Sequence, residues 1–263
     1  MCDIKQTNMW QMSILKQALP CSDLLVQTPK NNKLLAQLPP PDYERLVPCL
    51  ELRSLSAGQE LFDMGENIQH VYFPTNCIVS LTIALADGYT ADTAMIGKDG
   101  MVGIGVLGNP RSFNRAYVRC SGFAYRLSVN ELNLEFMRTE SLMRILLSAA
   151  REQIMQMAQS SVCARYHSIE QQVVKWLLTT LDKIDGDSIT ITQGEIARML
   201  GVRRESVSMV MGKLIAFCAI ACTRGKLKVV DKARLLSMSC ECYETIRRNQ
   251  TVFSKLAIDS MPA

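Results

Sequence analysis

Residues 192 to 213 read TQGEIARMLGVRRESVSMVMGK, and two stretches of helical apolar spacing are interrupted there by Gly201-Val202-Arg203-Arg204. Thr192 and Glu195 stand three residues apart, so that each side chain can accept from the other's free backbone N–H in a capping box, which starts a helix. Ile196, Met199 and Leu200 fall on one face of it, and Gly201 follows where a left-handed residue ends the helix. After the break Val207, Val210, Met211, Leu214 and Ile215 repeat at three- and four-residue steps, while Arg203, Arg204, Glu205, Ser208, Met209 and Lys213 fall away from that stripe. The second helix is therefore expected to bury one face and to present a basic and polar one. Two short helices joined by a glycine-containing turn form a helix-turn-helix, whose second helix enters the major groove.

An ordinary αα-hairpin with a solvated charged face has the same periodicity, and the segment that follows separates the two readings. Between Ala219 and Val230, Thr223, Leu227, Val229 and Val230 flank Arg224-Gly225-Lys226, a β-hairpin with glycine supplying the turn. Helix, turn, helix and hairpin make a winged helix.

Charge is distributed in the same sense. The chain of 263 residues carries a net charge of +4, yet residues 190–263 hold 12 Lys and Arg against 6 Asp and Glu, or +6, while the remainder holds 17 against 19, or −2. The basic excess lies with the reader, where phosphate binding needs it. With 48% hydrophobic and 21% charged residues the chain reads as a globular protein with ample core. No apolar run has the length to span a bilayer, and Met1 to Lys30 lacks the order of a signal peptide, so a cytoplasmic protein with no membrane partner is expected.

Upstream of the reader the pattern changes twice. Residues 1–30 carry no periodicity and read as a flexible leader. Residues 34–52 read as partly helical, with Pro39-Pro40-Pro41 before Asp42 as the start signal. Short β-rich runs at 69–73, 78–85, 93–96, 116–119 and 124–127 are punctuated by glycines, which implies an antiparallel sandwich or roll. From Val129 to about Ala164 the pattern is helical, and Met143, Leu147, Ala150, Ile154 and Met157 step by four and three along one seam, widened at its start by Leu142, Ile145 and Leu146. Such a helix packs either on its own domain or against a second copy; the dimer is favoured, because a helix-turn-helix commonly gains affinity from two half-sites. A further helix from Ser168 to Leu181 carries Val173, Trp176, Leu177 and Leu181 and stops before Asp185-Gly186-Asp187.

The ten cysteines lie at 2, 21, 49, 77, 120, 163, 218, 222, 240 and 242, and no two have the CxxC spacing of a metal-ligand pair. With Cys240-Glu-Cys242 standing alone and only His70 and His167 in the chain, they read as reduced, buried small hydrophobes, and no metal or cofactor is expected. Cys218 and Cys222 are assigned to packing on the same ground, and His167 to the junction between two helices. No Ser-His-Asp arrangement or phosphate loop is present, so the chain is not read as an enzyme.

The order of β-roll, long helix and winged helix over residues 34–235 resembles the Crp-Fnr family of bacterial transcription regulators. Thr192-Gln-Gly-Glu-Ile-Ala and Gly201-Val-Arg-Arg-Glu-Ser-Val carry the resemblance most specifically, and Gly58-Gln-Glu-Leu-Phe, Gly65-Glu and Val71-Tyr-Phe-Pro carry it in the roll. The resemblance implies an α+β chain with an N-terminal antiparallel, jelly-roll-like β-roll of cyclic-nucleotide-binding type at 31–130 and a long dimerisation helix at 131–166. A winged helix-turn-helix DNA-binding domain at 167–240 and a C-terminal tail at 241–263 complete the division. The partners that the resemblance implies are double-stranded DNA and a second copy of the chain, with RNA polymerase and a small-molecule effector of unidentified chemistry, or none, as further candidates.

Carried over to this sequence, Arg204 and Glu205 take the positions that contact base edges, since a guanidinium grips guanine bidentately and a carboxylate accepts from cytosine. Ser208 and Met209 lie one turn later; Met209 replaces a second arginine common in the family and packs on a thymine methyl at best, which implies a different target sequence. Arg203, Gln193, Ser206 and Lys213, with Arg224, Lys226 and Lys228 on the wing, are expected phosphate or accessory contacts. The effector pocket departs further. Gly97 and Gly100 supply the glycine turn, but no glutamate lies between Gly97 and Arg119, and Asn114-Arg115-Ala116 stands where the family's phosphate-binding Arg-Ser-Ala belongs. A degenerate pocket that does not bind cyclic AMP is the expectation; a cyclic-nucleotide-dependent activator using Arg115, or a sensor or scaffold module that does not bind DNA, is the alternative.

Overall fold

A computed structural model describes residues 27–86, 90–184, 186–223 and 225–248. Seven strands build the N-terminal half: β1 (Glu51–Leu55), β2 (Glu60–Phe62), β3 (His70–Pro74), β4 (Ile78–Ala84), β5 (Thr90–Ile96), β6 (Arg115–Cys120) and β7 (Gly122–Ser128). They form two antiparallel sheets, ordered β1-β7-β3 and β2-β6-β4-β5. Each sheet turns its apolar residues inward, so Leu55, Val71, Phe73, Val79, Leu81, Val118 and Leu127 fill one core. The five expected strands are present: β5, β6 and β7 are extended by two or three residues, β3 is shifted by one and β4 is one residue shorter. β1 and β2 were not expected: β1 begins in the last two residues of the stretch read as partly helical, where helix stops at Leu46 and a 3₁₀ turn over Val47–Cys49 leads into the strand.

Two short helices, α1 (Lys33–Ala36) and α2 (Pro40–Leu46), close one end of the roll. Asn32 is fully buried there; its side chain caps α1 through the Leu34 and Leu35 N–H groups and donates to the Pro74 and Gly100 carbonyls. The region read as one long helix is two, α3 (Val129–Arg138) and α4 (Glu140–Tyr166). Thr139 breaks them with an extended backbone (φ −127°, ψ 126°), its N–H and hydroxyl both bonded to the Glu135 carbonyl. The break lets α4 lay Leu142, Ile145, Leu146 and Ala149 on the roll. These residues do not widen the expected seam; they form a second, inner stripe.

Beyond α4 follow α5 (Ile169–Leu181), β8 (Ser188–Thr190), α6 (Gln193–Leu200), α7 (Arg204–Ala216), β9 (Ile220–Thr223), β10 (Lys226–Val229) and α8 (Lys232–Ser237). The hairpin β9-β10 gains a third strand, β8, which three residues on a charged, glycine-flanked segment did not announce. Residues 241–248 form a last helix, α9, instead of the expected tail. The leader, residues 1–26, and residues 249–263 lie outside the described residues. Val173, Val174, Leu177 and Leu178 of α5 join Ile196, Val207, Met211 and Leu214 in a second core, to which Ile78 and Met95 of the roll also belong. Sensor-like and reader-like halves thus share packing. Among the described residues no helix is long and apolar enough to cross a membrane.

Candidate nucleic-acid interface

The reader forms as its sequence dictates. Glu195 N–H donates to the Thr192 hydroxyl at 3.2 Å and Thr192 N–H to the Glu195 carboxylate at 2.8 Å, closing the capping box. Gly201 takes φ +65°, the left-handed value that ends α6, and Val202 N–H returns to the Ala197 carbonyl. Four residues of α7, Val207, Val210, Met211 and Leu214, are buried and fix its orientation on α5 and α6. Ile215, expected in that stripe, is 43% exposed, because the stripe drifts past it as the helix ends.

The opposite face is open. Arg203, Arg204, Glu205, Ser208 and Met209 are all exposed, Met209 by 68%, and Ser206 and Gln193 are half-buried beside them. No side chain caps the first turn of α7, whose N-terminus carries the exposed Arg203 and Arg204, an arrangement suited to a phosphate oxygen. Two expected cations have partners that the sequence did not reveal: Lys213 pairs with Glu170 of α5 at 2.9 Å, and Lys228 with Asp187 at 3.2 Å. Both pairs lie at the surface, where an ion pair contributes little and does not commit the lysine. Lys226 is exposed on the wing beside Gly225, which turns at φ +78°. Arg224 lies outside the described residues.

The expected effector residues do not come together. Arg115 forms a bidentate pair with Asp63, both bonds 2.8 Å, and lies 3.2 Å from Glu60. The guanidinium in turn holds the Asp63 carboxyl below its ordinary range. Gly97 serves packing: a Cβ there would stand 2.8 Å from Lys183 Cβ at the end of α5. Gly100 N–H is bonded to the Gly97 carbonyl, and Asn114 is buried and accepts from Ser112. Of the four, only Asn114 borders the cavity of about 340 Å³ between the roll and α4, whose other walls include Phe62, Ile68, Leu81 and Leu107. Leu147, Ala150, Ile154 and Met157 of the expected dimer seam close it on the helix side. In the single chain Leu147 is 52% and Ile154 65% exposed, while Met143, Ala150 and Met157 are half-buried.

The cysteine reading needs correction. Cys218 and Cys222 do not pack: Cys218 sits in the left-handed turn that leaves α7 (φ +54°), and Cys222 faces solvent on β9. Cys163, Cys240 and Cys242 are buried together instead.

Residues 171–238 match the Crp-like helix-turn-helix domain family. No curated protein sequence matches the chain. Among solved structures it is similar to FixK2 from Bradyrhizobium japonicum (15% identity, TM-score 0.62, 73% of this chain and 98% of that one). It is also similar to a CRP-family transcriptional regulator from Thermus thermophilus (16%, 0.61, 71% and 96%). A third is the c-di-GMP-responsive global regulator CLP of Xanthomonas campestris (15%, 0.57, 72% and 98%). The chain thus has the fold of Crp/Fnr-type transcription regulators and carries a Crp-like helix-turn-helix domain.

Proposed function

We propose that this chain, with its Crp/Fnr-type fold and helix-turn-helix domain, is a dimeric, sequence-specific transcription regulator in the cytoplasm, not an enzyme. The observation that carries this reading is α7 itself: four apolar residues anchor it, and Arg203, Arg204, Glu205, Ser208 and Met209 stand free along the opposite face. Arg204 and Glu205 read base edges, Met209 reads a thymine methyl, and Arg203, Gln193, Ser206, Lys213, Arg224 and Lys226 hold phosphate. Pairing through the seam of α4, open at Leu147 and Ile154, supplies two readers for a two-fold symmetric site, with RNA polymerase as the downstream partner.

The roll is not a cyclic-nucleotide receptor in this reading. A cyclic phosphate at Arg115 would have to displace the bidentate Asp63 and then face two carboxylates. The roll–α4 cavity, mostly apolar but lined also by Arg111, Ser112, Asn114 and Gln153, suits a largely apolar effector that carries a polar or anionic group instead. The test is selection of bound fragments from the source genome by the purified full chain, with and without cell extract. A two-fold symmetric motif is expected; recovery of random fragments alone would refute the reading.

A further inference from the structure

Cys163 and His167 stand four residues apart across the last turn of α4, where the His167 N–H still bonds the Cys163 carbonyl. Cys240 and Cys242 stand at the start of α9, 73 or more residues later in sequence and touching them in space. Cys163 Sγ and Cys240 Sγ are 3.7 Å apart, and Cys242 Sγ is 3.4 Å from His167 Nδ1. All four atoms lie within 4.8 Å of one another. A disulfide needs sulfurs about 2.05 Å apart. A tetrahedral zinc with Zn–S of about 2.3 Å and Zn–N of about 2.0–2.1 Å separates its sulfurs by about 3.8 Å and a sulfur from a nitrogen by about 3.5 Å. The Cys163–Cys240 and Cys242–His167 separations match edges of the tetrahedron, the Cys163–Cys240 distance is too long for a disulfide, and the 4.8 Å spread of the set leaves the remaining edges to close by up to about 1 Å on binding.

The surroundings fit as well. His167 Nε2 lies 3.2 Å from the Glu241 carboxylate, which fixes the tautomer with the proton on Nε2 and leaves the Nδ1 lone pair aimed at the sulfurs. Gln159 Nε2 donates to Cys242 Sγ at 3.0 Å. Lys175, itself buried and 3.3 Å from Ser160 one turn below, brings a positive charge toward a site that three thiolates would make net negative. The three cysteines are 0–5% exposed, so solvent is excluded from the ligand atoms.

We propose that Cys163, His167, Cys240 and Cys242 form a closed Cys₃His site for a thiophilic divalent cation of the zinc class, which pins α9 to the hinge between α4 and α5. Four protein ligands leave no open position, so the ion is structural or sensing, not catalytic. On binding, the three thiols release their protons to solvent as sulfur–metal bonds form, and the imidazole coordinates without losing its proton. The site ties the end of the chain to the joint that sets how the reader sits on the roll.

The experiment uses the full chain purified under reducing conditions, its metal content measured, stripped by chelation and titrated with Co²⁺ and then Zn²⁺. One equivalent of Co²⁺ is expected to give thiolate charge-transfer bands and the intense visible bands of a tetrahedral ion, both bleached by Zn²⁺, with a rise in the thermal midpoint. Cys163→Ser and Cys242→Ser should abolish the spectrum, while Cys218→Ser and Cys222→Ser should keep it. Because the first pair of variants can fail to fold, the spectrum of the unaltered chain is decisive by itself. Absence of charge-transfer bands in the reduced chain, or their loss in Cys218→Ser or Cys222→Ser, would overturn the site.

Discussion

Arg115 was the one residue left to hold a cyclic phosphate, and it is committed to Asp63 and Glu60. That commitment was not legible in the sequence, because Asp63 lies 52 residues away and reaches Arg115 only when β2 pairs with β6. Since the pair is well exposed, Arg115→Ala should leave the thermal midpoint nearly unchanged. Calorimetry with cyclic AMP should be featureless before and after the change; a micromolar dissociation constant abolished by Arg115→Ala would return the phosphate site to the roll. Glu152 of α4 faces Asp99, with Lys183 and Lys33 nearby, and burial first, then Asp99, pushes its carboxyl up to about 7. A folded value above the ordinary 4.5 means that the folded state holds the proton more tightly. That stabilisation is complete below the unfolded value and is lost as pH rises through about 7. Glu152→Gln keeps the neutral form at every pH, so it should raise the thermal midpoint more at about pH 8 than at about pH 5. An equal shift at both values would show that Glu152 does not titrate in this range.

Among the elements, the reader was the most legible in sequence, because everything that forms it is local: the Thr192–Glu195 box, Gly201 in the left-handed region and an apolar repeat within one helix. What was not legible depends on partners far along the chain. The break at Thr139 answers to the roll beneath α4, and the Cys₃His cluster unites residues from two helices whose separate spacings match no familiar motif. The long helix lies between these cases. Its outer seam was readable, but that a second, inner stripe carries the packing on the roll was not. That division gives the dimer prediction its form. Ile154 is 65% exposed in one chain, so Ile154→Glu should leave the fold of the single chain intact. A charge placed between two apolar helices should nonetheless convert the dimer to monomer in sedimentation and weaken operator binding with it. A variant that remains dimeric would move the interface elsewhere and leave the seam as the wall of the roll–α4 cavity alone.

At the scale of the whole molecule, roll and reader are one packed body in this structure. Ile78 and Met95 of the sheet lie in the core of the reader, and Arg119, paired with Asp92 at 3.1 Å, stands 4.0 Å from Glu195 at the start of α6. A ligand that moved the roll against α4 would therefore act directly on how α6 and α7 are presented. On the proposed reading α7 distinguishes sequence and does not merely hold charge. Binding isotherms of the unaltered chain and of Arg204→Ala, on the selected site and on random duplex at one salt concentration, test it most directly. Loss of a bidentate base contact is worth about 1–3 kcal/mol, or roughly 5- to 150-fold per half-site, on the selected site, with a much smaller change on random duplex. Equal weakening on both would mean that Arg204 touches only phosphate, and would contradict the account.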